Sequence, residues 1–172
     1  MACMNATLLD LDACIRLVAE WRQQGLKIVF TNGHFDLLHV GHVQYLQKAR
    51  SLGDRLVVGV NSDASTRRRK GATRPILPQE ERAFLLSALR VVDAVLLWDE
   101  DDFCKVVDAL KPDVYVKGAD WNQRQGPKPP EAAVVETYGG QVVYVRLTLG
   151  RSTSGIVRDI LQRHGCDPKE GA

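Results

Sequence analysis

The chain has 172 residues, of which 45% are hydrophobic and 26% charged, and its formal net charge is +2. This length and composition fit one globular domain with a buried core. So small a net charge gives no general electrostatic reason to expect binding to nucleic acid.

Apolar stretches and cysteines indicate the compartment. No apolar stretch reaches the roughly 20 residues of a membrane-spanning helix, and the N-terminus lacks the basic and apolar regions of a signal peptide. The four cysteines are scattered without a CxxC pair, which is typical of reduced thiols in a cytoplasmic protein; they are Cys3, Cys14, Cys104 and Cys166. We therefore expect a cytoplasmic protein that binds neither membrane nor nucleic acid.

Helix and strand patterns alternate along the chain. Apolar spacing predicts a first helix from Leu8 to Trp21. Buried strands are predicted over residues 27–31, 55–61, 91–98, 113–117 and 141–146. Further helices are predicted over residues 42–52, 78–89, 102–110, 131–138 and 154–163. This alternation indicates an α/β, Rossmann-like, doubly wound fold with five parallel strands in a single domain.

Domain limits follow from the same reading. Residues 1–26 are interpreted as an N-terminal helical extension, residues 27–165 as the main domain and residues 166–172 as a flexible tail. The polar, Pro-rich segment from Trp121 to Pro130 is expected to form a lid or an irregular loop. Since ligands of parallel sheets bind beyond the carboxyl ends of the strands, the loops after each strand are the candidates for the site.

The loop after the first predicted strand carries two histidines and two glycines. Gly33 and Gly41 allow backbone to approach a ligand closely, while His39 and His42 lie at the start of the next helix. Two imidazoles at a helix N-terminus suit an anion such as a phosphate chain. A zinc site is the alternative, but a third ligand at a recognisable spacing is absent from the sequence. Neither GxGxxG nor GxxxxGK[ST] occurs, which argues against ordinary NAD binding and P-loop kinases.

These residues resemble a known family. His39-Val-Gly-His42 is similar to the HxGH signature of the cytidylyltransferase-like nucleotidyltransferases, and the similarity extends over the loop from Thr31. The resemblance implies a nucleotide and phosphate site formed by Thr31, Asn32, Gly33, His34, Phe35, Asp36, Gly41, Arg82, Lys117, Gly118, Asp120, Trp121, Ser152, Thr153 and Ser154. It also implies a homodimer or a larger homo-oligomer.

Several phrases resemble one subgroup, the heptose 1-phosphate adenylyltransferases. They include the segment from Gly53 to Ser65 and the pairs Lys70-Gly71 and Arg74-Pro75. The resemblance implies transfer of AMP from ATP to D-glycero-D-manno-heptose 1-phosphate. His34 departs from this pattern, because a small residue is common at that position, and the segment from Asn122 to Pro130 is also unlike the subgroup.

Nucleotidyl transfer needs positioning and charge stabilisation, because the attacking phosphate oxygen is already ionised. His39 and His42 would donate to the phosphates, and Ser152 and Thr153 would bind the leaving diphosphate at a helix N-terminus. Arg82 would add a planar fork for the β and γ oxygens. Mg²⁺ is expected on the triphosphate rather than in a protein cage, and Asp36 would either help to bind it or order its own turn.

The basic run before Gly71 has two interpretations. Lys70 is interpreted as a catalytic cation on a flexible arm that closes over the phosphates. Arg67, Arg68 and Arg69 are interpreted as a solvated face or a subunit contact. Asp120 either binds the nucleotide or caps a turn, and Trp121 either stacks on the base or packs beneath the lid.

Two rival functions remain open at the level of sequence. The same chemistry with CTP or GTP, on glycerol phosphate or another sugar phosphate, uses the same residues. A nucleotide-sensing module without catalysis is the second rival, because a fold does not fix a function. The intact pair of His39 and His42 argues against the second.

Overall fold

The computed structural model describes residues 7–119, 128–145 and 152–165. Within them lie six strands: β1 (Thr7–Leu9), β2 (Ile28–Gly33), β3 (Arg55–Asn61), β4 (Ala94–Trp98), β5 (Val114–Gly118) and β6 (Gln141–Val145). The same residues form seven helices: α1 (Leu11–Gln23), α2 (Val40–Arg50), α3 (Asp63–Lys70), α4 (Gln79–Ser87), α5 (Cys104–Leu110), α6 (Pro130–Thr137) and α7 (Thr153–Arg163).

All six strands are parallel and form one sheet in the order β1-β4-β3-β2-β5-β6. From β2 the chain proceeds to β3 on one side and later to β5 on the other side. The strand order therefore reverses beside β2, where open α/β sheets bind their ligands. The structure confirms the predicted α/β class with a parallel sheet.

The strand count is a correction. Residues 7–9 pair with Ala94–Leu96 and form the edge strand β1, so the sheet has six strands rather than five. The first helix accordingly starts at Leu11 and not at Leu8, because the Asp10 side chain accepts a hydrogen bond from Ala13 N at 2.7 Å and caps it. The N-terminal residues 7–9 are thus part of the sheet.

Each face of the sheet carries its own apolar cluster. One cluster includes Leu46 and Ala49 of α2 and Leu86 of α4. The other includes Val18 of α1 and Val107 of α5. Strand residues alternate between the two clusters, as expected for a sheet covered on both faces.

Side-chain caps fix two helix starts that matter for the site. The Ser62 hydroxyl accepts from Ser65 N at 3.0 Å and begins α3 directly after β3. The Ser152 hydroxyl accepts from Gly155 N at 3.0 Å and begins α7.

In the part of the chain that the structure describes, helices long and apolar enough to cross a membrane are absent.

Candidate active site

The two histidines lie at the start of α2, as their spacing predicts. His39 is the N-cap residue, and its carbonyl accepts hydrogen bonds from His42 N at 2.9 Å and Val43 N at 3.2 Å. The turn brings the two imidazoles into a stack with ring centroids 3.8 Å apart and planes inclined by 20°. Phe35, which has a positive φ of 46°, packs its ring edge against His42 at 5.3 Å. The pair is therefore stacked at the start of α2 and packed against Phe35.

Two adjoining cavities open at the carboxyl ends of the strands. The first, which we name the Glu131 cavity after a residue in its wall, has a volume of about 350 Å³. The second, which we name the Ser152 cavity in the same way, has a volume of about 370 Å³. Four residues line both of them: His34, Phe35, His42 and Lys70. The two cavities therefore meet beside the stacked histidines.

The Glu131 cavity carries charges of both signs. Its basic residues are Arg69, Lys70 and Lys117, and its acidic residues are Asp101, Asp102 and Glu131. Asn32, Gly33, Asn61 and Gly118 also line it. This mixture fits a ligand that has both an anionic group and hydroxyl groups.

The Ser152 cavity lies between the N-termini of two helices. Gly41 and His39 line it from α2, and Ser152, Thr153 and Ser154 line it from α7. Helix N-termini present backbone N–H groups and a partial positive charge. The cavity is therefore suited to a polyphosphate chain.

His42 is uncharged in this environment at neutral pH. Burial and, to a smaller extent, the neighbouring His39 lower its pKa from 6.5 to about 4, while the hydrogen bond with the Leu37 backbone partly offsets both effects. A neutral imidazole has one N–H donor.

Lys70 is placed differently from the prediction. It is the last residue of α3 rather than part of a flexible arm, and it lines both cavities. Arg67 and Arg68 of the same helix form ion pairs within the chain, with Asp63 at 3.9 Å and Asp101 at 2.7 Å. The helix therefore places Lys70 and Arg69 at the site, while Arg68 pairs with Asp101 of the Glu131 cavity and Arg67 pairs with Asp63 within the helix.

The position of Arg82 corrects the prediction that this residue contacts the triphosphate. Its side chain is 0% exposed, and its guanidinium donates to Leu77 O at 3.0 Å, His34 O at 2.5 Å and Asp63 Oδ1 at 2.7 Å. All three guanidinium nitrogens are thus engaged inside the protein. Arg82 supports the site from behind and does not line either cavity.

Asp36 and Thr31 also have internal partners. The Asp36 carboxylate binds Arg74 at 2.7 Å and accepts from Ile76 N at 2.6 Å, so it orders the segment before α4. Of its two predicted roles, the structure supports the ordering of local backbone. Thr31 is fully buried and bonds Tyr45 and the Val116 carbonyl, so it shapes the site without facing a ligand.

Residues 7–119, 128–145 and 152–165 contain no group of three or more His, Cys, Asp or Glu that could hold a metal ion. The predicted site residues Asp120 and Trp121 lie outside the described residues, as does most of the predicted lid.

Sequence reasoning missed several cavity residues. Glu131 is 3% exposed, and its Oε1 accepts from Phe103 N at 3.0 Å while facing the cavity. The sequence position of Glu131, at the start of a helix, does not indicate that it lines a cavity. Asn61 ends β3 at the ligand-binding edge of the sheet, so its sequence position could have predicted a cavity residue. Thr66 was missed too, and it lies 3.0 Å from the His34 ring nitrogen Nδ1.

Comparison with known sequences gives a consistent family. The sequence model described as cytidylyltransferase-like matches residues 30–147. The bifunctional protein HldE of Geobacter sulfurreducens is 50% identical over 161 residues, which cover 94% of this chain and 32% of that protein. The protein of the same name from Syntrophotalea carbinolica is 52% identical over 147 residues, covering 83% of this chain and 29% of that protein. The chain thus spans about a third of the length of these relatives.

Solved structures give the same picture. The lipopolysaccharide core biosynthesis protein from Thermoplasma volcanium is 35% identical with a TM-score of 0.59, covering 74% of this chain and 100% of that one. A pantoate-beta-alanine ligase from Francisella tularensis has the same TM-score of 0.59 at 15% identity, covering 87% of this chain and 69% of that one. The second likeness concerns the fold alone.

The buried position of Arg82 generates a stability prediction. Arg82→Met should lower the free energy of unfolding by about 3–5 kcal/mol, because it leaves the Asp63 carboxylate without its buried partner. Arg67→Met removes the exposed ion pair with the same carboxylate and should cost below about 0.5 kcal/mol. Urea unfolding of both variants measures the difference; equal losses would contradict the structural role of Arg82.

A second prediction concerns pH. The pKa values of His34 and His42 are lowered to about 4 from 6.5, so the unfolded chain takes up their protons at a higher pH than the folded protein. Their contribution to stability is therefore full above pH 6.5 and lost as the pH falls through about 4. Between about pH 7 and pH 4.5, His42→Asn should lose less stability than the wild type.

The matched control for the pH prediction is His164→Asn, at the exposed end of α7. Urea unfolding at both pH values should show the wild-type loss in this control. A wild-type loss in His42→Asn as well would mean that the imidazole of His42 is protonated in the folded protein.

Proposed function

The chain belongs to the cytidylyltransferase-like family, and we propose that it transfers AMP from ATP to D-glycero-D-manno-heptose 1-phosphate, giving an ADP-sugar and pyrophosphate. The observation that carries this proposal is the His39–His42 stack at the junction of two cavities of similar size. About 50% identity to the bifunctional HldE proteins supports the sugar substrate, as does the likeness to a lipopolysaccharide core biosynthesis protein.

The Ser152 cavity is the proposed place of the triphosphate. Two helix N-termini face it, and the backbone N–H groups there suit phosphate oxygens. Ser152 and Thr153 would bind the β and γ phosphates, while His39 and His42 would donate to the α and β phosphates. Gly41 has no side chain to obstruct this approach.

The Glu131 cavity is the proposed place of the sugar phosphate. Its cationic residues Arg69, Lys70 and Lys117 suit the phosphate. The resemblance implied a nucleotide contact for Lys117, and we reassign it because it lines this cavity and not the Ser152 cavity. Its carboxylates accept hydrogen bonds from hydroxyl groups, of which a sugar has several. Each substrate thus has a cavity that matches its chemistry, and the reacting groups meet at their junction.

The reaction is a displacement at the α-phosphorus. An oxygen of the sugar phosphate attacks, the new bond joins it to the α-phosphorus, and the bond from that phosphorus to the bridging oxygen of the β-phosphate breaks. The leaving pyrophosphate takes the electron pair of the broken bond. Because the attacking phosphate oxygen is already ionised, proton removal from the nucleophile is unnecessary. His39, His42 and Lys70 stabilise the negative charge that moves onto the leaving group.

Mg²⁺ fits the proposal as a companion of the triphosphate. In the described part of the chain Asp36 is bound to Arg74 and to backbone amides, so the phosphates and water would supply the ligands. When bound, the ion supplies charge neutralisation.

We further propose a cytoplasmic location and a homodimer or larger assembly, in line with the family resemblance.

A panel of four NTPs against several sugar phosphates, with pyrophosphate release as readout, tests the function. We expect ATP with heptose 1-phosphate to give the highest kcat/KM. A preference for CTP or GTP, or for glycerol phosphate, would replace the proposed substrates within the same chemistry. Nucleotide binding without pyrophosphate release from any pair would indicate a sensing module instead.

The stacked histidines should be essential for turnover. His39→Ala and His42→Ala should each lower kcat on the order of 10²-fold or more, because each removes a preorganised donor to developing charge. Circular dichroism should show a folded protein in both variants. Wild-type turnover in either variant would show that the replaced histidine has no part in the mechanism.

Lys70 should act on turnover more than on nucleotide binding. Lys70→Ala should lower kcat/KM on the order of 10²-fold while the Kd for ATP changes only a few-fold, since the cation is most useful when charge reaches the leaving group. Lys70→Arg should recover only part of the activity, because the guanidinium is larger and its charge more spread. Arg67→Ala, on the same helix, is the matched control and should retain wild-type kinetics.

Calorimetry for ATP binding beside steady-state kinetics separates the two effects of Lys70→Ala. Normal turnover in this variant would show that the basic end of α3 is a solvated surface without a catalytic role.

A further inference from the structure

His34 lies in the wall that the two cavities share, where the resembled subgroup commonly has a small residue. Its ring nitrogen Nδ1 lies 3.0 Å from the hydroxyl of Thr66, which is 1% exposed and belongs to α3. The ring is therefore anchored at Nδ1 by the hydroxyl of a buried residue that itself lines the Ser152 cavity. Among the described residues, the other polar atom of the ring, Nε2, has no hydrogen-bond partner and so is available to a ligand in either cavity.

The charges around His34 indicate which ligand this is. Burial and then the cations of Lys70, Arg69, Arg82 and Lys117, in that order, together lower its pKa to about 4. Of these four, Arg69 and Lys117 line only the Glu131 cavity, and Lys70 lines both cavities. The positive charge beside His34 therefore belongs mainly to the side assigned to the sugar phosphate.

We propose that His34 is a substrate-binding residue that donates a hydrogen bond from Nε2 to the phosphate of the acceptor sugar, and that Thr66 is the positioning residue that sets this tautomer. The inference rests on the proposed function and adds a residue-level account of how the acceptor phosphate is held. It concerns a pair of side chains that the HxGH signature does not include.

The tautomer follows from the observed contact with Thr66 taken together with the proposed bond to a phosphate. A neutral imidazole has one donor and one acceptor nitrogen. If the Thr66 hydroxyl donates to Nδ1, the proton of the ring resides on Nε2, where a phosphate oxygen can accept it. If Nδ1 instead donated to Thr66, Nε2 would present a lone pair to an anion, which is repulsive in a cavity built for phosphate.

Three variants separate these roles. The Gln side-chain nitrogen reaches roughly to the place of Nε2, whereas the Asn nitrogen reaches only to that of Nδ1. His34→Asn should therefore raise the KM for the sugar phosphate about 10- to 100-fold, as for a lost hydrogen bond to a charged group. His34→Gln should recover most of this loss. The KM for ATP should change less than about threefold in both variants.

Thr66→Val keeps the shape of the side chain and removes the hydroxyl. It should raise the KM for the sugar phosphate between these two extremes, because the ring then loses the partner that fixes its tautomer. Rescue by His34→Gln in the Thr66→Val background distinguishes tautomer control from a packing defect, since the Gln amide has a donor without help from Thr66. A rise in the KM for ATP instead would assign His34 to the nucleotide and overturn the proposal.

A binding experiment tests His34 without any turnover. Nitrogen NMR of the ¹⁵N-histidine-labelled protein should show His34 with the proton on Nε2, and its pKa should rise when inorganic phosphate is added, because an anion favours the charged ring. A proton on Nδ1, or signals of His34 that phosphate leaves unchanged, would contradict the proposal. The outcome is independent of the NTP panel, so failure of the enzymatic function and failure of the His34 assignment are distinguishable.

Discussion

One buried guanidinium connects the segments that form the site. Arg82 of α4 donates to the carbonyl of His34 in the loop after β2, to Asp63 at the start of α3 and to the Leu77 carbonyl before α4. A charge that is 0% exposed is tolerable only where its partners are complete, and here they come from three separate segments. The geometry of the loop and the direction of α3 therefore depend on the same side chain.

This connection explains why basic residues of similar sequence context have different roles. Arg82 binds Asp63 away from both cavities, so its charge serves the fold, whereas Arg74 binds Asp36 in the wall of the Ser152 cavity and Arg68 binds Asp101 in the wall of the Glu131 cavity. Lys70 and Arg69 stand at the end of the helix that Arg82 directs, and they face the cavities. Burial and the available partner decide the role, and the residue type alone does not.

The sequence predicted the parallel sheet and the loop with His39 and His42, because buried strands and the two glycines leave local signals. It missed β1, since a strand of three residues is too short for an alternating pattern. It assigned Lys70 to a flexible arm because the charged run has no apolar periodicity, whereas the Ser62 cap and the ion pairs of the basic residues hold α3 as a helix. The partners of Arg82 are distant in sequence, so a matching position identified the arginine but not its contacts.

The central claim is that an oxygen of the sugar phosphate attacks the α-phosphorus of ATP at the junction of the two cavities. Phosphorus NMR of the products formed from heptose 1-phosphate with ¹⁸O in its non-bridging phosphate oxygens tests this directly. The account predicts ¹⁸O in the diphosphate bridge of the nucleotide sugar and none in the released pyrophosphate. Label in the pyrophosphate, or a bridge that contains only oxygen from ATP, would contradict it.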